Sequence, residues 1–304
     1  MSSRPDRAAP ALPKTILLAT DLSARCDRAR DRAVLLARQW QARLLVLTVA
    51  PSERELTIVE ELLEAPAWAR RDGAARQAER WLQRDLESAG VPFEVQVTSG
   101  KVGPAIEAAA QAAGAGLIVT GVARAGAFQP LVLGSTIGWL ARHASVPVLV
   151  VHDPAHAPYQ DVAVASDFSP AAGQALETAA TLFGDAASFV LVHGTAPGRA
   201  GMIDDAQART DAATALRNQV QDEAAAQLDG LALPAQVRER LEVVVEPVEP
   251  ARLLQALVDN DRADLVVLGS RGRSALSEIL LGSQAQRVLE SVRVDTLVVR
   301  TPPR

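Results

Sequence analysis

The stretch that decides the fold is ADLVVLGSRGRSALSEILLGSQAQRVLESVRVDTLVV, Ala263–Val299. It opens on the apolar run Leu265–Leu268, whose length suits a buried strand, and closes on a second such run, Val294–Val299. Between them stand Gly269, Gly272 and Gly282, and Ser283 then leads into a segment with helical spacing. Two buried strands joined by a helix form a parallel crossover, the unit of sheets covered by helices on both faces. In such sheets, ligands bind beyond the carboxyl ends of the strands, where Gly269 falls. Glycine there lets the backbone approach a ligand closely or take a positive φ, and Gly272 does the same one turn on. Gly282 and Ser283 precede the helix, so they offer amide N–H groups at the positive end of its dipole. The three glycines and the hydroxyl read as a phosphate cradle.

The same order of features occurs earlier in the chain. ILLATDLS at Ile16–Ser23 matches VAVASDFS at Val162–Ser169, an offset of 146. The segment ending at Gly121 matches the one ending at Gly269, and LVLGS at Leu131–Ser135 matches ILLGS at Ile279–Ser283, both offset by 148. VPVLVV at Val146–Val151 matches VDTLVV at Val294–Val299. The chain is therefore a tandem duplication of one unit. Its seam is the proline-broken stretch His152–Gln160. The expected division is a disordered tail over 1–12, a first domain over 13–153 and a second over 154–304.

Within the first half, Ile16–Ala19, Leu44–Val49, Phe93–Val97, Leu117–Thr120 and Val146–Val151 read as strands. Ser23 reads as the cap of a helix whose apolar face is Ala29, Ala33, Leu36, Ala37 and Trp40. A helical region over 53–89 is interrupted near Pro66, and further helices follow at Pro104–Ala113 and after Gly134. The second half repeats the plan, with Ser169 as N-cap and Pro170 at the first helical position. The fold class expected is α/β: two tandem doubly wound domains, each with a mostly five-stranded parallel sheet flanked by helices.

Bulk properties narrow the function. The chain has 304 residues, 48% of them hydrophobic and 22% charged, as in a soluble globular protein. Net charge is −5, and neither half is strongly basic, which argues against a general nucleic-acid binder. No apolar run approaches the roughly 20 residues of a membrane span. The N-terminus lacks the apolar core of a signal peptide, and Cys26 is the single cysteine, so a cytoplasmic location without disulfides is expected. Neither G-x-x-x-x-G-K-[ST] nor a G-x-G-x-x-G after the first strand of either half is present.

On VAVASDFS, LGSRGRSALSEILLGS and VDTLVV, with their counterparts in the first half, the chain resembles the universal stress protein family and looks like a tandem two-domain member. The likeness implies an adenine nucleotide α-hydrolase-like fold. The family's nucleotide-binding branch carries G-2x-G-9x-G-[ST], which Gly269, Gly272, Gly282 and Ser283 meet in full. By this resemblance, Asp167 contacts the adenosine part of ATP or a related adenine nucleotide, and Ala165 and Ser166 line the adenine pocket. His193 and Gly194 end the second strand and offer backbone to the base, although family members often carry Val where Gly194 stands. Leu268, Arg271 and Gln284 flank the cradle; Arg271 either faces phosphate or is a solvated loop arginine. In the first half, Asp21, Val49, Gly121, Gly134, Ser135 and Thr136 occupy the matching places. Arg124, however, replaces the second glycine. It fills the phosphate space, pairs with the phosphates, or leaves the flexibility to Gly126. The resemblance further implies a stress-response regulatory role, Mg²⁺ only as an escort of the triphosphate, and antiparallel pairing of Val146–Val151 with Val294–Val299 into a pseudo-dimer. Two chains then form a homodimer.

The competing readings are a slow ATPase or phosphotransferase using the same pocket, and a nucleotide-free dimeric scaffold. No general base or Walker-type lysine is evident, so any turnover is expected to be slow. His152 and His156 read as solvated linker residues rather than metal ligands. Asp21 and Asp167 read as helix N-terminal carboxylates rather than catalytic acids. Cys26 lacks a nearby base, and the acidic stretch Glu53–Glu64 reads as a solvated face.

Overall fold

A computed structural model describes residues 11–24, 26–50, 74–122, 134–194, 206–270 and 281–301. In the first half the strands are β1 (Thr15–Ala19), β2 (Arg43–Ala50), β3 (Phe93–Ser99), β4 (Leu117–Gly121) and β5 (Val148–Val151). The helices there are α1 (Asp27–Trp40), α2 (Ala74–Glu87), α3 (Val102–Ala113) and α4 (Ser135–His143). The second half has β6 (Asp161–Ala165), β7 (Ser188–Gly194), β8 (Leu241–Glu246), β9 (Leu265–Gly269) and β10 (Asp295–Val299). Its helices are α5 (Pro170–Leu182), α6 (Ala206–Asp229), α7 (Ala235–Arg240), α8 (Pro250–Asp259) and α9 (Ser283–Ser291).

The strands join into one ten-stranded sheet, ordered β3-β2-β1-β4-β5-β10-β9-β6-β7-β8. Each half contributes five parallel strands, and the halves meet where β5 and β10 pair antiparallel, with Leu149 opposite Leu297. Central strands such as Ile16–Leu18 and Leu265–Val267 are wholly buried. Their successive side chains enter two separate apolar clusters, one on each face of the sheet. That burial explains why they read as unbroken apolar runs rather than alternating ones.

Local chemistry sets the helix ends. Ser169 Oγ accepts the Ala172 amide at 3.2 Å and Pro170 occupies the first helical position, so α5 begins as expected. Glu249 caps α8 in the same way, accepting from Arg252 N ahead of Pro250. The expected cap at Ser23 is not there. The helix α1 starts later, behind Cys26, and Ser23 instead donates its hydroxyl to Asp21 at 2.6 Å. Its expected apolar face is nonetheless buried, from Ala29 to Trp40. The solvated reading of His152 also fails: it is 1% exposed, because it directly follows β5 at the joint between the halves, whereas His156 is exposed. The acidic stretch Glu53–Glu64, most of the N-terminal tail and Pro66 lie outside the described residues. No helix among the described residues is long and apolar enough to cross a membrane.

Candidate functional site

In the second half, β6 lies between β9 and β7, and α5, the helix after β6, packs on one face of the sheet while α9, the helix after β9, packs on the other. This is the topological switch point at which ligands bind in doubly wound sheets. The residues singled out from the sequence gather there. Ala165 ends β6, Ser166 and Asp167 follow it, Gly194 ends β7, and Leu268 and Gly269 end β9.

The turn after β6 is held by its own polar side chains. Ser166 Oγ accepts the Phe168 amide at 3.0 Å, and Asp167 Oδ1 accepts the Ser169 amide at 3.0 Å. Phe168 is thereby fixed at a left-handed φ of 57°. The first half repeats the device: Thr20 Oγ1 accepts Leu22 N at 3.1 Å, Asp21 Oδ1 accepts Ser23 N at 2.9 Å, and Leu22 sits at φ 62°. A left-handed non-glycine residue costs about 1–2 kcal/mol, so both halves hold strain at the same point, beside the candidate pocket. Asp21 is therefore a turn-forming acceptor, not a helix N-terminal carboxylate, since α1 begins six residues later.

Burial alone pushes the Asp21 carboxyl up, but hydrogen bonds from Ser23 and Cys26 outweigh this and leave it below the usual carboxylate value. The Cys26 thiol donates to Asp21 at 3.1 Å. Burial, with the Asp21 carboxylate beside it, raises that thiol above its ordinary value, which suits a structural cysteine better than a nucleophile.

Three features of the second-half site were not anticipated. His193 stacks on Phe168, ring centres 4.6 Å apart, and its Nδ1 lies 2.8 Å from the Ser166 carbonyl. Since that carbonyl only accepts, Nδ1 carries the proton of this bond. Gln227 reaches in from α6 and donates to Ser169 O at 2.9 Å. Gly194 is crossed by the chain itself: a Cβ there would stand 2.5 Å from Val248 O and 2.9 Å from Pro250 Cα. A larger side chain, valine included, is thus excluded here by backbone, for a reason invisible in the sequence. Gly269 has a similar role. It keeps an ordinary φ, and a Cβ there would meet Ala171 O at 3.1 Å, so its bareness admits the first turn of α5.

The far side of the cradle is α9. Gly282 stands at its N-cap and Ser283 and Gln284 are its first two residues, both exposed. The Gly282 amide, expected to be available, is spent on Ser270 O at 3.0 Å, while Ser270 N donates to Val299 O at 2.9 Å. These bonds tie the start of α9 to the ends of β9 and β10. The amides of Ser283 and Gln284, as the first of the helix, have no partner within it. Arg271 and Gly272 lie outside the described residues.

In the first half, Val49 lies in β2, Gly121 ends β4, Gly134 is the N-cap of α4, and Ser135 and Thr136 open that helix. Arg124 and Gly126 lie outside the described residues.

A model of the universal stress protein family matches residues 13–152 and 158–300. Over 55 residues the chain is 38% identical to universal stress protein MJ0531 of Methanocaldococcus jannaschii, which is 18% of this chain and 32% of that protein. The chain thus spans about a third of this curated relative. The structure of PA1789 from Pseudomonas aeruginosa PAO1 superposes with a TM-score of 0.64 at 18% identity, covering 95% of this chain and 92% of the other. A universal stress protein from Archaeoglobus fulgidus does so with a TM-score of 0.62 at 20% identity, covering 94% and 98%. At these identities the two structures share the fold. With the family model matching both repeats end to end, the chain belongs to the universal stress protein family, as a tandem member with two such domains.

Proposed function

We propose that the second domain, within 154–304, binds ATP or a related adenine nucleotide and that the chain acts as a nucleotide-responsive regulatory protein of the stress response. What supports this reading is the main chain at the described part of the G-2x-G-9x-G-S pattern: Gly269 ends β9, Ser283 opens α9, and the Gly282 amide bonds Ser270 O. Anion binding then rests on main-chain amides and the dipole of α9. Asp167, held in its turn beside the end of β7, is positioned for the adenosine part. Arg271, Gly272 and Gln284 complete the phosphate side, with Mg²⁺ entering only as escort of the triphosphate. The first domain, within 13–153, carries the matching frame of Asp21, Val49, Gly121, Gly134, Ser135 and Thr136, with Arg124 in place of a glycine. A cytoplasmic location and a further homodimer of two chains belong to the same reading.

The test is direct. The purified full chain is denatured and the supernatant chromatographed for released nucleotide. Refolded or nucleotide-stripped protein is then titrated calorimetrically with ATP, with GTP as comparator. A universal stress protein has been crystallised with cAMP, so the cyclic nucleotide is a third probe. One adenine-selective site per chain is expected. No released nucleotide and no heat with ATP or cAMP would refute the reading. Phosphate release against retention of bound ATP over hours separates a binding protein from a slow ATPase.

A further inference from the structure

One end of the joint between the halves is held by charged groups that water does not reach. Asp295, the first residue of β10, is fully buried. Its Oδ1 accepts His152 N at 2.7 Å and Asp153 N at 2.9 Å. Its Oδ2 accepts the Tyr159 hydroxyl at 2.5 Å and Arg32 Nε at 3.2 Å. Arg32 comes from α1 of the other half and is itself 5% exposed. Its Nη1 donates to Ala157 O at 2.8 Å, and its guanidinium carbon lies 4.0 Å from the centre of the Tyr159 ring. Every contact of this carboxylate offsets its desolvation, as a buried ion pair requires.

A duplicated chain could carry this arrangement at both ends of the joint, and it does not. The repeat places Pro147 where Asp295 stands and Thr178 where Arg32 stands. Thr178 bonds within its own helix, to Gln174 O at 2.8 Å. At that end, Arg300 donates to His143 O at 3.3 Å. Each half therefore supplies one member of a single pair.

The paired strands do not by themselves distinguish the halves. Leu149 faces Leu297, and these are equivalent positions in the repeat, so the approximate two-fold axis passes between them. Val148, Leu149 and Val150 of β5 are small or aliphatic, as are Thr296, Leu297 and Val298 of β10. By this register, β5 could pair with β5 of a second copy, or β10 with β10. The charges oppose it. Two first halves would bury two guanidiniums facing Pro147, and two second halves would bury two carboxylates facing Thr178. An unpaired buried charge is far costlier than a compensated one.

We infer that Arg32 and Asp295 are an address that fits each half only to the unlike half, of the same chain or of a second copy. The partner for which the β5 edge is built is a β10 edge carrying a buried carboxylate, and the reverse. Each assembled unit consequently sets one repeat with Arg124 beside one repeat with the complete glycine pattern.

The test starts from the folded full chain. A protease site is placed at Pro154–His156, in the linker between Asp153 and Ala157, and cut after folding, which removes the advantage of the tether. Native mass spectrometry then follows the halves over time. The cut chain is expected to remain a first–second pair, preferred over like pairs by at least about a hundredfold. Arg32→Met with Asp295→Leu removes the address without leaving a buried charge, and its cut halves are expected to re-sort toward the statistical mixture. Should that variant not fold, near-isosteric Asp295→Asn asks the same question and is expected to admit second–second pairs. Like pairs from the cut unmutated chain would overturn the inference. So would its falling apart into monomers, or a strictly mixed pair in the variants.

Discussion

Gly194 offers a sharp test of how the pocket is built. Replacing it with Ala adds one methyl group, 2.5 Å from Val248 O and 2.9 Å from Pro250 Cα. Carbon–oxygen contacts settle well beyond 3 Å, and both obstacles are main chain, so no side-chain rotation relieves the clash. The segment between β8 and α8 must move, and it is tied at both ends. Gly194 pairs with Glu246 in the β7–β8 ladder, and Glu249 caps α8 through Arg252 N. Overpacking against backbone of this kind costs about 2–3 kcal/mol, the upper part of its usual range. At about 2–4 °C per kcal/mol for a domain of this size, Gly194→Ala should lower the melting temperature of the second half by about 4–12 °C. Val should do worse. Calorimetric melting of the full chain measures this, with Gln284→Ala, at an exposed position, as the control. If Gly194→Ala melts within 1 °C of the unmutated chain, the loop does not press on this strand end as described.

Three other outcomes are expected. Gly282→Val should remove nucleotide binding by the second half while leaving far-UV circular dichroism unchanged; unaltered ATP heats would mean the cradle lies elsewhere. Tyr159 is the single tyrosine, and burial, reinforced by the Asp295 carboxylate, holds its phenol well above the ordinary value. Because the folded value lies above the unfolded one, its contribution to stability is complete below about pH 10 and is lost as pH rises toward the folded value. Tyrosinate absorbance should then appear only together with unfolding, and a normal phenol titration in the native chain would contradict this. Cys26 should react slowly with maleimide at pH 8, and Asp21→Asn should quicken it by removing the carboxylate that disfavours the thiolate; an unchanged rate would refute that coupling.

Much of the architecture was legible because its cause is local. Apolar runs such as Leu265–Leu268 mark strands buried on both faces, and Ser169-Pro170 marks a helix start through hydroxyl capping and a fixed φ. The pairing of β5 with β10 followed from family resemblance rather than from the residues. What stayed hidden depends on distant contacts. Nothing near Gly194 announces that Val248 crosses it. Ser23 has the composition of a cap, yet Asp21 competes for it and α1 starts later. His152 sits in a proline-rich seam that reads as solvated, but the joint buries it. Asp295 left one trace: a carboxylate at a position where the matching strand of the first half has Pro147. For the glycines, the residue type was readable but not its reason, since Gly269 makes room for Ala171 of the protein itself.

The antiparallel seam at Leu149 and Leu297 has a consequence for geography. All five strands of one half run against all five of the other, so their carboxyl ends emerge from opposite margins of the shared sheet. A ligand at one margin and a ligand at the other are held apart by the full strand length, and a protein docked flat on either margin covers one and leaves its counterpart open. The two candidate pockets thus open to opposite sides of the molecule.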